Sequence, residues 1–214
     1  MSNTKSNTMS NTMSNTMSNT MSNTMSNTKF TYEESDININ PITNDCVINK
    51  IDGLIDRGII IRTAESCTGG GIANIITNRD GSSRIIDCCL VTYSPEVKQK
   101  LLGVIPELTT DEKIVSKETA ESMNWGLQEF CKDFERKCEV YVSITGWIGS
   151  NPVETGYHAY FTLCNGDRTL MSTFKVNVKI GYGKQGKKEY LIFKILCEIM
   201  NFVKAVKAFS KEKK

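Results

Sequence analysis

The sequence predicts an α/β fold, a three-layer α/β/α sandwich with a mixed, mostly parallel sheet. Short β-branched or apolar runs, typical of buried strands, alternate with longer segments whose apolar residues recur at helical spacing. A late hairpin signal, Asn165-Gly166-Asp167, adds an antiparallel pair to that sheet. The predicted domain covers residues 43–210. Residues 1–42, which begin with seven Met/Lys-Ser-Asn-Thr tetrads, are predicted to be a disordered low-complexity tail and linker.

The first half of the domain is predicted to alternate helices with strands. Val47, Ile51 and Leu54 share one helical face, and Gly58 is suited to the end of that helix. Pro95 stands at the favoured first position of a later, short helix. In chain order the predicted elements are a helix over 43–57, a strand over 58–61, a helix ending near Thr77, a strand over 88–93 and a helix over 95–102.

The second half adds a long helix, three strands and a final helix. Ser116 is placed to cap a helix whose inward face carries Ala120, Met123 and Leu127. The following elements are predicted as a strand over 140–145, a polar loop over 147–156, strands over 157–163 and 169–180, and a helix over 188–209.

Composition narrows the possible functions. A net charge of +2 over 214 residues gives no reason to expect nucleic acid or a membrane surface as a partner. No apolar run reaches the roughly 20 residues of a membrane helix, and no signal peptide is recognisable, so a cytoplasmic location is expected. Eight cysteines without a CxxC pair, and His158 as the single histidine, argue against a structural zinc site and a histidine-based triad.

The polar segment from Arg62 to Gly71 follows a predicted strand and precedes a predicted helix. A helix N-terminus presents unpaired N–H groups and a positive dipole end, which can bind a phosphate or stabilise an oxyanion. Ser66 and Cys67 are potential nucleophiles at this turn. A purely structural interpretation is also open, in which Ser66 or Thr68 caps the helix and the glycines permit close packing.

Three blocks of the sequence carry a resemblance to a known family. They are Thr63-Ala64-Glu65-Ser66-Cys67-Thr68-Gly69-Gly70, Gly81-Ser82-Ser83, and the run from Val91-Thr92-Tyr93-Ser94-Pro95 to Val104. In order and spacing they resemble the C-terminal domain of the CinA (competence/damage-inducible) family, over residues 44–208. Stand-alone members are nicotinamide mononucleotide deamidases that use no metal. The resemblance therefore implies amide hydrolysis, a small-molecule nucleotide substrate, no cofactor and a homodimer.

The resemblance also implies roles for individual residues. Ser66 would be the nucleophile and Lys98 its base, which must be substantially neutral to act. Tyr93 would relay a proton or fix the lysine. The implied substrate-binding residues are Cys67, Thr68, Gly69, Gly70, Ser94, Thr145, Gly146, Lys184 and Gln185.

Each role has a simpler alternative from the residues alone. Lys98 lies in a polar run where most lysines are solvated, Tyr93 suits ordinary strand packing, and Ser116 suits a helix cap. Cys67 is an intrinsically stronger nucleophile than serine, so the preference for Ser66 rests on the resemblance.

The sequence departs from the family pattern at two places. Gly146-Trp147-Ile148-Gly149-Ser150 replaces Gly-Ile-Ala-Gly-Pro, and a shorter loop, 151–156, follows. Near the last helix, Gln185 stands where the family has an arginine. The neighbouring lysines carry a positive charge but do not reproduce the bidentate hydrogen bonds of an arginine guanidinium. Two functions therefore remain: an active amidohydrolase, or a silent domain that binds a nucleotide or a protein partner. The run from Gly181 to Lys188 also nearly matches a P-loop, but Lys188 replaces its Ser/Thr.

Overall fold

The computed structural model describes residues 45–149, 157–178 and 183–212. The predicted tail, most of the predicted polar loop, and Gly181 and Tyr182 of the P-loop-like run lie outside the described residues. The elements, in chain order, are α1 (Asp45–Asp56), β1 (Ile61–Glu65), α2 (Gly71–Thr77), a 3₁₀ turn (Ser82–Arg84), β2 (Ile86–Val91), α3 (Pro95–Leu102), a 3₁₀ turn (Pro106–Leu108), α4 (Lys117–Phe130), β3 (Val140–Trp147), β4 (Tyr157–Asn165), β5 (Met171–Val178) and α5 (Lys184–Glu212).

Five strands in the described residues form one mixed sheet in the order β2-β1-β3-β4-β5. β1 lies between β2 and β3 and is parallel to both. β4 is antiparallel to β3 and to β5, so it alone runs against the other four strands. The β4–β5 pair is the hairpin predicted from Asn165-Gly166-Asp167. The predicted mixed, mostly parallel sheet is therefore confirmed.

The helices pack on both faces of this sheet and complete three layers. One apolar core joins the sheet to α1, α2 and α5, and contains Ile51, Ile76, Val142 and Leu196. A smaller core on the opposite face lies under α3 and α4 and contains Leu102, Met123 and Leu127. Because strand residues alternate between faces, neighbours along β3 contribute to different cores. The predicted α/β/α sandwich is confirmed.

The first strand starts later than predicted, because residues 58–60 close the preceding helix. Gly58 has a positive φ of 62°, and its N–H donates to the Ile55 carbonyl oxygen at 3.0 Å. The Ile59 N–H donates to the Leu54 carbonyl oxygen at 3.1 Å, which completes a glycine-based helix end. β1 consequently begins at Ile61, and Ser66 directly follows its last residue, Glu65.

Two helix starts also differ from the prediction. α2 begins at Gly71 with Gly70 as its N-cap, so neither Ser66 nor Thr68 caps it. α5 begins at Lys184 rather than near Lys188. Within the described residues, no helix is both long enough and apolar enough to cross a membrane.

Gly126 in α4 lies where α3 and α4 approach each other closely. A Cβ at this position would collide with the Leu102 carbonyl oxygen, which is backbone and cannot move aside. We expect Gly126→Ala to lower the free energy of unfolding by about 1–3 kcal/mol, despite alanine's better helix propensity. Urea denaturation measures the change.

The control is Gly53→Ala in α1, where the nearest atoms are the mobile ends of Arg57 and Met200. There the helix-propensity gain should dominate and stabilise the protein by about 0.5–1 kcal/mol. Equal effects of the two substitutions would contradict the packing assigned to Gly126.

Candidate active site

Ser66 is held at the carboxyl edge of the parallel strands. Its N–H donates to the Ile144 carbonyl oxygen of β3 at 3.1 Å, which continues the hydrogen-bonding ladder one residue beyond β1. The carbonyl oxygen of Ser66 accepts the Gly69 N–H at 3.0 Å and closes a tight turn. Ser66 is only 6% exposed. Backbone contacts on both sides of the residue therefore fix its side chain at the edge where ligands of α/β sheets bind.

Lys98 lies in α3, and the start of that helix determines where its side chain points. Ser94 is the N-cap and accepts the Val97 N–H at 3.2 Å, with Pro95 at the first helical position. Lys98 is fully buried, and its Nζ lies 2.9 Å from Ser66 Oγ. The sequence separation is 32 residues, so only the fold brings this pair together.

Two backbone carbonyls complete the surroundings of the Lys98 amine. Nζ donates to the carbonyl oxygens of Thr92 at 2.8 Å and Tyr93 at 2.9 Å. A neutral amine has two N–H donors and one lone pair. With both donors used on carbonyls, the lone pair is left for the hydroxyl hydrogen of Ser66, which is the arrangement a general base requires.

Burial lowers the pKa of Lys98 from its ordinary value to about 8. The cause is loss of hydration, which penalises the ammonium form. Near neutral pH a useful fraction of the amine is therefore uncharged. Lys98 is thus a buried lysine with a lowered pKa, as its predicted role as a base requires, and the simpler interpretation of a solvated lysine is wrong.

Cys67, the alternative nucleophile, has different surroundings. Burial raises the pKa of its thiol to about 12, so the reactive thiolate is scarce at neutral pH. Its Sγ packs against Gly146, where an added Cβ would come within 2.7 Å of the sulfur. The lysine amine contacts the serine hydroxyl instead. The geometry favours Ser66 over Cys67 without appeal to resemblance.

Glu65, which was not among the predicted site residues, lies at the N-terminus of α2. Its buried carboxylate accepts the N–H groups of Ile72 and Ala73, both at 3.1 Å. The expectation of a helix end with unpaired N–H groups therefore fails for these two amides, and a negative charge already faces the dipole. In the Ser66–Gly70 turn, the amides of Cys67, Thr68 and Gly70 donate to no backbone carbonyl oxygen among the described residues.

A cavity of about 390 Å³ opens beside the Ser66–Lys98 pair. Seven of the predicted site residues line it: Ser66, Cys67, Tyr93, Lys98, Thr145, Gly146 and Lys184. Five further residues line it that were not predicted: Ile114, Val115, Trp147, Ile148 and Gly149. The cavity thus combines a reactive pair, apolar and aromatic walls and one exposed cation, a composition typical of small-molecule sites.

Five predicted residues do not line the cavity. Thr68 is buried, and Gly69 and Gly70 shape the turn beneath Ser66. Ser94 uses its hydroxyl to cap α3. Gln185 is exposed on α5 and donates from Nε2 to Glu189 Oε1 at 2.9 Å.

The final helix therefore supplies its charge to the cavity from Lys184, one residue before Gln185. One helical turn further on, Lys188 Nζ lies 3.4 Å from where a Cβ on Gly69 would sit. Lys187 is buried against the Tyr157 ring. Lys187 stands at the position of the P-loop lysine, but it packs against an aromatic ring, and residues 184–188 are helical instead of forming a phosphate-binding loop. The P-loop alternative therefore loses its support.

The missed residues come from one loop and one strand end. Ile114 and Val115 lie between the second 3₁₀ turn and α4, and Thr145 Oγ1 donates to the Ile114 carbonyl oxygen at 2.6 Å. Trp147, two residues after Thr145 on β3, lies on the same face of the sheet. The alternation of strand residues between the two faces of the sheet was the signal that would have placed Trp147 on the same face as Thr145. The loop that carries Ile114 and Val115 has no comparable sequence pattern.

The fold and the cavity define an α/β/α protein with a buried serine–lysine pair at the carboxyl edge of its sheet. The profile of the CinA C-terminal domain matches residues 45–177, and the chain belongs to that family.

Sequence relatives and solved structures agree with this membership. A CinA-like protein of Shewanella pealeana is 40% identical over 103 residues, 48% of this chain and 24% of the relative. One from Chloroherpeton thalassium is 45% identical over 96 residues, 45% of this chain and 22% of the relative. The matched segment thus spans about a quarter of these relatives' length.

Among solved structures, a CinA superfamily protein from Enterobacter cloacae has a TM-score of 0.63 at 24% identity, covering 82% of this chain and 99% of that one. One from Escherichia coli has a TM-score of 0.64 at 21% identity, covering 80% and 94%. At these identities the likeness concerns the fold.

Proposed function

We propose that this protein is an amidohydrolase that converts nicotinamide mononucleotide to nicotinic acid mononucleotide and ammonia. The observation that carries the proposal is the 2.9 Å contact between Lys98 Nζ and Ser66 Oγ at the wall of the cavity. A serine becomes nucleophilic when a neighbouring base takes its proton, and here the base is a buried amine. Membership of the CinA family supports the nucleotide carboxamide as substrate.

The first half of the reaction forms an acyl-enzyme. Ser66 Oγ attacks the carboxamide carbon while its proton passes to Lys98 Nζ. The resulting ammonium keeps its hydrogen bonds to the Thr92 and Tyr93 carbonyl oxygens, so the new charge is held by acceptors already in place. Lys98 then donates a proton to the amide nitrogen, the C–N bond breaks, and ammonia leaves a Ser66 ester.

The second half reverses these roles with water. The neutral Lys98 amine takes a proton from a water molecule as its oxygen attacks the ester carbon. The proton then returns to Ser66 Oγ, and the nicotinate carboxylate is released. Because only the neutral amine starts each half, activity should rise as the pH increases through about 8.

The turn after Ser66 offers donors for the oxyanion of both tetrahedral intermediates. Cys67, the residue directly after the attacking serine, lines the cavity, and its amide donates to no backbone carbonyl oxygen among the described residues. Glu65 occupies the amides of Ile72 and Ala73, so the donors must come from the turn itself. Lys184 at the exposed rim is suited to the substrate phosphate.

A second candidate function is a silent nucleotide-binding domain. It is favoured by one observation: Gln185, at the position first assigned to a family arginine, pairs with Glu189 instead of lining the cavity. On this alternative the cavity still holds the nucleotide but does not turn it over.

Ammonia release from nicotinamide mononucleotide by the purified protein separates the two functions. We expect release by the wild type, background release by Ser66→Ala, and a loss of about 10²–10⁴-fold for Lys98→Met, since it lacks the base. Cys67→Ala is the matched control and should keep activity of the same order. Full activity in Ser66→Ala would contradict the mechanism. No release by the wild type, together with thermal stabilisation by the nucleotide, would favour the silent domain.

Lys184 and Gln185 provide a neighbouring pair of variants for the phosphate end of the substrate. We expect Lys184→Gln to raise KM about two- to fivefold with little change in kcat, because an exposed charge contributes modest ground-state binding. Gln185→Ala should leave KM unchanged. A larger KM rise in Gln185→Ala than in Lys184→Gln would contradict the placement of the charge. Steady-state kinetics at low salt measures both constants.

A further inference from the structure

Trp147 lines the cavity, and its aromatic ring makes no specific contact with another described residue. It is the last residue of β3, half-buried, and part of the cavity wall. Its indole has no hydrogen bond, cation contact or ring contact with another described residue. Trp125, the other tryptophan, differs because the Arg168 guanidinium lies over its ring, 5.2 Å from the centroid. The Trp147 indole is thus available to a ligand.

The position of Trp147 follows from its strand. Ser143 and Thr145 point to the face under α4, where their hydroxyls donate to the Ala120 and Ile114 carbonyl oxygens. Trp147, two residues after Thr145, is the last residue of β3 and continues this alternation. Its ring therefore reaches the site from a strand whose neighbouring residues are hydrogen-bonded in place.

The charges around the cavity determine which groups could recognise a positively charged ligand ring. The described residues that line it include two lysines, Lys98 and Lys184, and no carboxylate. A ligand with a positively charged ring therefore meets no anionic side chain there. The π face of tryptophan is the strongest aromatic acceptor for a cation, and it gains strength where water is excluded. Tyr93 also lines the cavity, but at 61% exposure its ring is well solvated.

We propose that Trp147 is the specificity residue of this site: its indole face recognises the reacting ring of the substrate as a pyridinium cation. The site then takes positively charged pyridine carboxamides in preference to neutral ones of the same shape. This inference rests on the proposed function, because it assumes that the ring bearing the carboxamide enters the cavity. It adds which side chain selects the ring and by which property.

The test compares two ligands that differ in ring charge. Nicotinamide mononucleotide carries a pyridinium, whereas its reduced dihydro form has a neutral ring with the same carboxamide, ribose and phosphate. Calorimetric titration is made with Ser66→Ala, which should leave the ligand intact. We expect the pyridinium form to bind about tenfold tighter, and Trp147→Leu added to Ser66→Ala to remove most of that preference.

Two further variants guard against trivial explanations. Trp147→Phe keeps an aromatic face and should keep part of the preference. Trp125→Leu removes the tryptophan that is already occupied and should keep all of it. Equal affinities for the two ligands, an unchanged preference in Trp147→Leu, or no binding of either ligand would each overturn the proposal.

The outcome is separable from that of the proposed function. A Trp147-dependent preference without ammonia release by the wild type would retain ring recognition and remove the deamidase. Ammonia release with no effect of Trp147→Leu on the preference would retain the deamidase and remove ring recognition by Trp147.

Discussion

The structure depends on the burial of one lysine amine. Lys98 is enclosed completely, and an ammonium in that position would lose its hydration. Three oxygen atoms surround Nζ, those of the Thr92 and Tyr93 carbonyls and of the Ser66 hydroxyl. The carbonyls accept from the amine in either protonation state, and the hydroxyl accepts from the ammonium or donates to the neutral amine. The carbonyls come from the connection between β2 and α3, and the hydroxyl comes from the end of β1. The parallel β1–β2 pair therefore sets the distance between base and nucleophile.

The turn after β1 separates two electrostatic tasks. Glu65, the last residue of β1, accepts N–H groups from the first turn of α2. Its carboxylate therefore supplies the negative charge that the positive end of the helix dipole favours. Ser66, the next residue, faces the cavity with the lysine. Of these two adjacent residues, Glu65 stabilises the helix and Ser66 belongs to the site. This division keeps negative charge out of a cavity that receives a phosphate-bearing ligand under the proposed function.

Local patterns predicted most of the fold, and spatial proximity accounts for what they missed. The Ser94-Pro95 helix start and the hairpin at Asn165 each have a short-range cause, and each is confirmed. The apolar run 58–61 placed the first strand too early, because its first three residues close the preceding helix. Glu65 was missed because a carboxylate capping a helix seven residues away has no sequence signature. Lys184 and Gln185 were both predicted to bind substrate, and only Lys184 lines the cavity, because the rotation of α5 about its axis decides which side chain faces it. Ile114 and Val115 enter through a loop whose path only the tertiary structure determines.

The proposed chemistry depends on the protonation state of Lys98, and NMR titration of ¹³Cε-labelled lysines measures that state without substrate. A lysine with an ordinary pKa titrates near 10.4. We expect one signal with a midpoint at about 8, absent from the spectrum of Lys98→Met. A spectrum in which every lysine titrates near its ordinary value would contradict it.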